Sequence, residues 1–289
     1  KDYRFLDLTL GDGGHTEEAL EAGCRVVSFD VDPEAIKRAS DFLKTKHTPI
    51  VLSDSAQFEP KKIASAPWIV INSNFTNSVE LVKKYNIEKF DGIMVDLGPS
   101  QYQVLADERG FSFNSSSELD MRIDKNMGVT AKDLINALNE GELSRLFELG
   151  DESFAKPIAR RIVSQRKISP ITTCKQLSDI ITRIKRKASS GMHPATQVFM
   201  TLRMAVNLER ENIISLLSTV TEILKKDGVL GVITFHSTED RLVKSELEKL
   251  ESMNIVSVIN KKPIEPSIEE LKISQRTRSA KLRLVKKNN

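Results

Sequence analysis

Short apolar runs recur along the first third of the chain, each followed by a stretch whose apolar residues return every three or four positions. Arg4 to Leu10 (RFLDLTL), Arg25 to Phe29 (RVVSF), Trp68 to Ile71 (WIVI) and Gly92 to Val95 (GIMV) read as buried strands. Helical spacing follows the first two, with Thr16 as cap of a helix through Ala22 and Pro33 opening one to about Lys44. Strands alternating with helices predict an α/β fold on a parallel sheet. Between Thr45 and Pro67 the periodicity fades and Pro49, Pro60 and Pro67 interrupt it, which predicts an irregular insertion. From about Phe111 to Arg210 the spacing is helical, over Ala131–Leu138, Glu142–Leu149, Ala155–Gln165, Cys174–Lys187 and Thr196–Leu217. Strands resume at Val229 to Phe235, Ile255–Ile259 and Ala280–Val285. The pattern thus predicts a helical domain at 111–210, inserted into a discontinuous α/β domain of 1–110 and 211–289.

Composition changes little in this picture, whereas charge changes more. The 289 residues are 39% hydrophobic and 29% charged, enough to bury a sizeable core, and no apolar run reaches the ~18 residues of a membrane span. No membrane partner is expected. Cys24 and Cys174 are far apart and form no CxxC pair, so neither a disulfide framework nor a structural zinc site is expected, and no metal is assigned. The net charge of +3 hides an uneven distribution. Asp151 to Arg210 carries a surplus of +8 and Lys272 to Asn289 one of +7, leaving an acidic remainder. Two basic segments on an acidic body fit a polyanionic partner, although solvated helix faces would give the same count.

Candidate chemistry gathers at strand ends. Gly11-x-Gly13-Gly14 lies between a strand and a helix, where glycine lets a ligand approach the backbone, but the third glycine of GxGxxG is absent. Asp30, ending the second strand, is placed to accept two ribose hydroxyls, while Asp32 before Pro33 fits helix capping better. A glycine loop without phosphate chemistry beside a ribose acid suits S-adenosylmethionine better than NAD. Phe75 could face an adenine or belong to the core. Asp96 ends the fourth strand where α/β enzymes place their chemistry. The polar segment Asp96 to Gln103 (DLGPSQYQ) could hold an exocyclic amine in line with a methyl group, needing acceptors rather than a strong base. Phe235 to Arg241 (FHSTEDR) contains Ser, His and Asp, but lacks a GxSxG elbow and is not read as a hydrolase triad. An Asp240–Arg241 bond at the helix start is the plainer reading there. Arg183, Lys185, Arg186 and Lys187 fit phosphate contact. Arg203 and Asn207 share a helix face, for which bundle packing with Phe199, Leu202 and Val206 is the safer reading and contact with RNA one that only a family resemblance implies; His47 reads as exposed.

Seven segments together resemble a known family. FLDLTLGDGGHT (5–16), FDGIMVDLGPSQYQ (90–103), ERGFSF (108–113), LDMRID (119–124), HPATQVFMTLRMAVNLE (193–209), VITFHSTEDRLVK (232–244) and RTRSAKLR (276–283) are similar to the small-subunit ribosomal RNA cytosine-N4 methyltransferases of bacteria and their mitochondrial methyltransferase-like relatives. The resemblance implies a Rossmann-like class I S-adenosylmethionine-dependent methyltransferase domain with an inserted all-helical domain that recognises RNA. It puts the cofactor loop on Gly13, Gly14 and His15, the ribose acid on Asp30, the strand-end aromatic on Phe75, and further cofactor contacts on Asp96 and Gln103. Positioning of the amine and base would fall to Asp96, Ser100 and Tyr102. The implied reaction is methylation of a cytidine N4 in small-subunit ribosomal RNA or a pre-ribosomal particle, with a homodimer left open.

The chain also departs from the family pattern. Where the family reads DLGxSSxQ, Gln101 replaces the second serine and Tyr102 adds an aromatic, and the HxPVL-like segment that precedes the first strand in the family is missing. The loop departures, with the extra stretch before Trp68, lean the reading toward the mitochondrial matrix over the bacterial cytoplasm. The altered Gln101-Tyr102 pair also keeps open a catalytically weak, RNA-binding ribosome-assembly factor on the same fold. A small-molecule methyltransferase is disfavoured by the basic segments.

Overall fold

A computed structural model describes residues 3–53, 63, 65–185 and 193–289. The chain divides into two units, Lys1–Gly98 with Arg210–Asn289, and Pro99–Glu209.

The first unit is built on an eight-stranded sheet. Its strands are β1 (Arg4–Asp7), β2 (Arg25–Asp30), β3 (Ile50–Ser53), β4 (Trp68–Asn72), β5 (Phe90–Asp96), β6 (Leu224–Thr234), β7 (Val256–Val258) and β8 (Lys281–Lys287), in spatial order β3-β4-β2-β1-β5-β6-β8-β7. The first six pair in parallel, and β8 runs antiparallel between β6 and β7. Strand order reverses at β1, with β2, β4 and β3 on one side and β5 and β6 on the other, so the carboxyl ends around β1 form the crevice where such sheets bind ligands. Central strands buried on both faces explain the apolar runs: Leu6, Phe29, Trp68, Ile71, Phe90 and Val95 are wholly inaccessible.

Several boundaries differ from the sequence pattern for local reasons. The irregular insertion contains β3, an edge strand of four residues pairing Ile50 with Ile69 and Leu52 with Ile71; its brevity and exposed Val51 hide the alternation. Part of that insertion, including Pro60, lies outside the described residues. β6 starts at Leu224, five residues early, because Lys225, Lys226 and Asp227 interrupt it, with Asp227 at φ 62° and the register to β5 shifting between Phe90 and Gly92. Helix α1 (Gly14–Glu21) is not capped by Thr16. Gly13 takes the cap position at φ 91°, and the Thr16 side chain is buried. Asp32 does cap α2 (Pro33–Leu43), accepting from the Glu34 amide. His47 is partly buried, not exposed.

The second unit is helical: α4 (Gln101–Leu105), α5 (Ala131–Ala137), α6 (Glu140–Leu149), α7 (Ala155–Arg166), α8 (Cys174–Ile184) and α9 (Thr196–Val206), where α3 (Ser78–Lys84) belongs to the first unit. The helix expected over Thr196–Leu217 is broken after Val206. Leu208 adopts φ 49°, and α10 (Glu209–Thr219) starts anew. Capping boxes at Thr130/Asp133, Asn139/Glu142 and Thr173/Gln176 satisfy the first amides of α5, α6 and α8. Leu119, Ile135, Phe147, Ile158, Leu177 and Leu202 fill its core.

Candidate cofactor site

The carboxyl ends of β1, β2 and β5 carry Asp7, Asp30 and Asp96. Asp30 is partly exposed as a residue, yet its carboxyl is enclosed. Oδ2 accepts from the Gly11 amide at 2.8 Å and Oδ1 from the Asp32 amide at 2.9 Å, tying the glycine loop to β2. Loss of hydration pushes its carboxyl up from 3.8 to about 6, against the pull of those two amides, with Asp32 and Asp7 adding repulsion. At neutral pH it is still mostly ionised, so its remaining lone pairs can accept a diol. Asn72 pins the end of β2 by donating to the carbonyls of Asp30 and Val31.

Asp96 faces His15 from across the loop. His15 Nε2 lies 3.6 Å from Asp96 Oδ2, an ion-pair distance too long for a good hydrogen bond. The Asp96 carboxylate, with a smaller contribution from Asp7, pushes the imidazole above its ordinary value despite partial desolvation. The other oxygen, Oδ1, is shielded from solvent and has no hydrogen-bond partner among the described residues. A buried carboxylate oxygen without a donor fits a site that receives one from a ligand. The Asp96 amide donates to Thr9 Oγ1 at 2.7 Å, so the loop after β1 is also anchored to the end of β5.

Beneath this rim runs a buried hydrogen-bond chain that sequence reasoning missed. Trp68 Nε1 donates to Ser28 Oγ at 3.1 Å, Ser28 and Thr16 hydroxyls lie 2.7 Å apart, and Thr16 donates to Asp7 Oδ2 at 2.8 Å. Indole is only a donor and carboxylate only an acceptor, so the proton order is set from Trp68 toward Asp7. Asp7 Oδ1 accepts from the Thr9 amide. Asp7 is wholly buried, and desolvation raises its carboxyl above 3.8 while Thr16 and His15 oppose the rise. One signal was present: a lone acid between Leu6 and Leu8 in an apolar strand.

The glycines divide by role. Gly13 is left-handed and a Cβ there would sit 3.2 Å from Ala39 Cβ, whereas one on Gly14 would meet nothing within 4 Å. Phe75 is half-buried after β4, in a turn where Asn74 accepts from the Thr76 amide, and packs on the sheet core. The residues of the first unit therefore fit a cofactor with a diol and a hydrogen-bond donor: Gly13, Gly14, His15, Asp30 and Asp96 converge on the strand ends around β1. A cavity of about 40 Å³ lies elsewhere, at the amino ends of β1, β2 and β5, lined by Arg4, Arg25 and Phe90.

The other expected site residues belong to the second unit. Ser100 caps α4, with its Oγ accepting from the Gln103 amide at 3.3 Å, and Gln103 Oε1 accepts from the Ser100 amide at 3.0 Å. Gln103 is buried and its carbonyl is committed to this capping box, so the structure gives it a loop-fixing occupation. Tyr102 is 42% exposed.

Three further expectations are corrected. Asp240 does not bond Arg241; it receives both Nε and Nη2 of Arg283, 2.7 and 3.0 Å away in the adjacent strand, with Lys281 nearby. Arg203 is spent on Glu209, and Asn207 on the Met121 carbonyl and Ile123 amide, so neither is left to face RNA. Lys185 pairs with buried Glu152. Arg186 and Lys187 lie outside the described residues. His236 caps α11 (Ser237–Ser252) through Nδ1 and holds Glu239 through Nε2 at 2.6 Å, which leaves no free base beside Ser237.

The sequence matches the MraW methylase family over residues 1–288. The chain belongs to that family. A relative from Carboxydothermus hydrogenoformans, named ribosomal RNA small subunit methyltransferase H, is 38% identical over 98% of this chain and 91% of its own. One of the same name from Pseudothermotoga lettingae is 37% identical over 98% and 92%. A crystallised rRNA methylase from Streptococcus thermophilus covers 100% of this chain and 88% of its own at 11% identity and TM-score 0.42, an overlap too loose to place any residue. These relatives are bacterial and lend no support to the mitochondrial leaning. Among the described residues no helix is long and apolar enough to cross a membrane.

Proposed function

We propose that this protein transfers the methyl group of S-adenosylmethionine to the exocyclic N4 amine of a cytidine in small-subunit ribosomal RNA. The reading is carried by 37–38% identity over 98% of the chain to relatives whose names specify methylation of that RNA, and the acids at the strand ends support its cofactor half.

S-adenosylmethionine supplies an electron-poor methyl on a sulfonium. The ionised Asp30 carboxylate accepts the ribose hydroxyls, and the loop over Gly13 and Gly14 lets the ligand approach the backbone. Phe75 gives an apolar face for the adenine. Asp96 has its two oxygens in different circumstances: Oδ2 faces His15, and Oδ1 is left for an N–H, either the cofactor's ammonium or the target amine. Holding a weakly nucleophilic conjugated amine in line is the main service such an acceptor performs. Ser100 and Tyr102 contribute to holding the base, and Gln103 acts by fixing their loop. The cytidine leaves its stack to be methylated. The pre-ribosomal small subunit is the natural substrate for such an enzyme, and the bacterial cytoplasm its setting.

The test is nucleoside mass spectrometry of unmodified small-subunit RNA and particles after incubation with enzyme and S-adenosylmethionine. Cofactor-dependent N4-methylcytidine is expected, and its absence from both substrates refutes the reading. The exposed Tyr102 in place of the family's usual loop favours one second reading, an assembly factor that binds RNA without turnover; RNA binding in the absence of methyl transfer would establish it.

A further inference from the structure

Helix α7 sorts its cations by face. Between Glu152 and Asp179 the chain holds six Lys and Arg and no acid. Arg166 turns inward, donating to the carbonyls of Ile135 and Leu138 at 2.5 and 2.6 Å, and so caps the end of α5. Ala155, Ile158, Ala159 and Ile162 line the buried face. Lys156, Arg160, Arg161 and Lys167 are all exposed on the opposite side. At 100° per residue Lys156, Arg160 and Lys167 fall within about 40° of one another, and Arg161 lies about 100° beyond Arg160, on the other flank of the exposed side. Arg160 has a loose partner, Glu140 at 3.5 Å with its side chain 77% exposed. Lys156, Arg161 and Lys167 have no acidic partner among the described residues.

Five basic residues of this unit are spent internally: Arg109, Arg122, Arg166, Lys185 and Arg203 all bond carbonyls or acids. The outer face of α7 is different, a row spanning about 16 Å from Lys156 to Lys167 at 1.5 Å per residue. Its ends carry exposed apolar side chains, Phe154 at 41% and Ile168 at 82%. Cations in a row bracketed by an aromatic and an aliphatic suit a partner with regularly spaced negative charge and flat apolar faces, as a nucleic-acid strand has.

We propose that the outward face of α7 binds the ribose–phosphate backbone of the substrate RNA, with Lys156, Arg160, Arg161 and Lys167 on phosphates and Phe154 available to stack a base. This rests on the reading of the protein as an RNA methyltransferase. Phosphate contacts of this kind give affinity and register, not sequence choice.

The test neutralises all four, Lys156→Gln, Arg160→Gln, Arg161→Gln and Lys167→Gln, in the full chain. A control set places four neutralisations on exposed lysines of the other unit, Lys37→Gln, Lys44→Gln, Lys244→Gln and Lys249→Gln. Binding of an unmodified small-subunit RNA transcript is followed by fluorescence anisotropy across a KCl series. Each lost phosphate contact removes about 0.7 to 0.9 from the slope of log affinity against log salt, so the α7 set should flatten it by roughly 3 and weaken binding at least tenfold. In methylation assays the loss should fall mainly on KM for RNA, with S-adenosylmethionine affinity unchanged by calorimetry. An unchanged slope and KM in an active α7 variant, or an equal loss in the control set, overturns the proposal while leaving the methyltransferase reading intact. Failure of the unmutated protein to methylate the transcript or the particle overturns that reading, and this proposal with it.

Discussion

Replacing Asp30 with Asn should make the protein more stable at neutral pH and worse at holding its cofactor. The carboxyl titrates at about 6 instead of 3.8 because burial strips its hydration. A gap of about two pH units at 1.4 kcal/mol each means that ionised Asp30 costs the fold about 3 kcal/mol at pH 7. Relaxation of the protein and water penetration around the enclosed carboxyl reduce this to about 2 kcal/mol. Asn retains an acceptor for one of the two amides of Gly11 and Asp32 and turns its own donors toward the other, a loss of about 1 kcal/mol. The net expectation is a gain of about 1 kcal/mol at pH 7, or about 2–4 °C in Tm for a chain of this size. A raised carboxyl contributes stability that is present below its unfolded value of 3.8 and is lost as pH rises through about 6. The advantage of Asn should therefore build up across that window, persist above it and reverse near pH 4. Urea denaturation of both proteins from about pH 4 to about pH 7 measures the difference. Calorimetry should show S-adenosylmethionine bound about 10–100-fold more weakly, as expected from losing a charged acceptor worth about 1.5–3 kcal/mol. A stability difference that is the same at both ends of the pH range would refute the account of Asp30, and unchanged cofactor affinity would refute its role.

Asp96→Asn should lower the titration midpoint of His15, followed by NMR of the ring carbons, because its largest supporting charge is gone. The stability that His15 lends below pH 6.5, which disappears as pH rises through its raised folded value, should shrink accordingly; an unmoved midpoint would contradict the pairing. Ser28→Ala leaves the Trp68 N–H buried without an acceptor and should cost about 2–3 kcal/mol in urea denaturation. Trp68→Phe added to Ser28→Ala removes that orphan, so the double variant should lose less than the sum of the two singles; strict additivity would mean the chain is not coupled. Gly110→Ala should cost about 3 kcal/mol or more by thermal melt, since Gly110 sits at φ 73° and a Cβ would come within 2.5 Å of the Glu118 carbonyl. Gly14→Ala, with open space around it, should change stability by no more than about 0.5 kcal/mol.

Strands buried on both faces were legible because their runs are predominantly apolar, as in Trp68 to Ile71, and Asp30 and Asp96 could be placed because each closes such a run. β3 was not, since four residues with one exposed valine carry almost no pattern. Local spacing also misled. Thr16 looks like a cap by position, but a hydroxyl facing a buried carboxylate is worth more to the fold than one at a helix start, and Gly13 supplies the turn instead. Adjacent Asp240 and Arg241 invite pairing by proximity, yet Asp240 finds Arg283, forty-three positions on, because β8 carries it there. The role of Gln103 was obscured in the same way: a polar residue in a polar loop looks available until its carbonyl is seen closing a capping box. Ser100-x-x-Gln103 does carry the capping-box spacing, whereas a partner as distant as Arg283 has no signature in a single sequence.

The position of β8 bears on how the protein is made. Lys281–Lys287 follows every other element in the chain, yet it lies inside the sheet, between β6 and β7. β5 and β6 are also neighbours, although the helical unit separates them in the chain. A nascent chain on the ribosome therefore holds β6 with an open edge until Lys281–Lys287 has been made, and the loop between Asp96 and Leu224 closes at lower entropic expense once the helices within it have folded. Closure of the sheet thus waits for β8, and loss of that strand would expose the edges of β6 and β7 together.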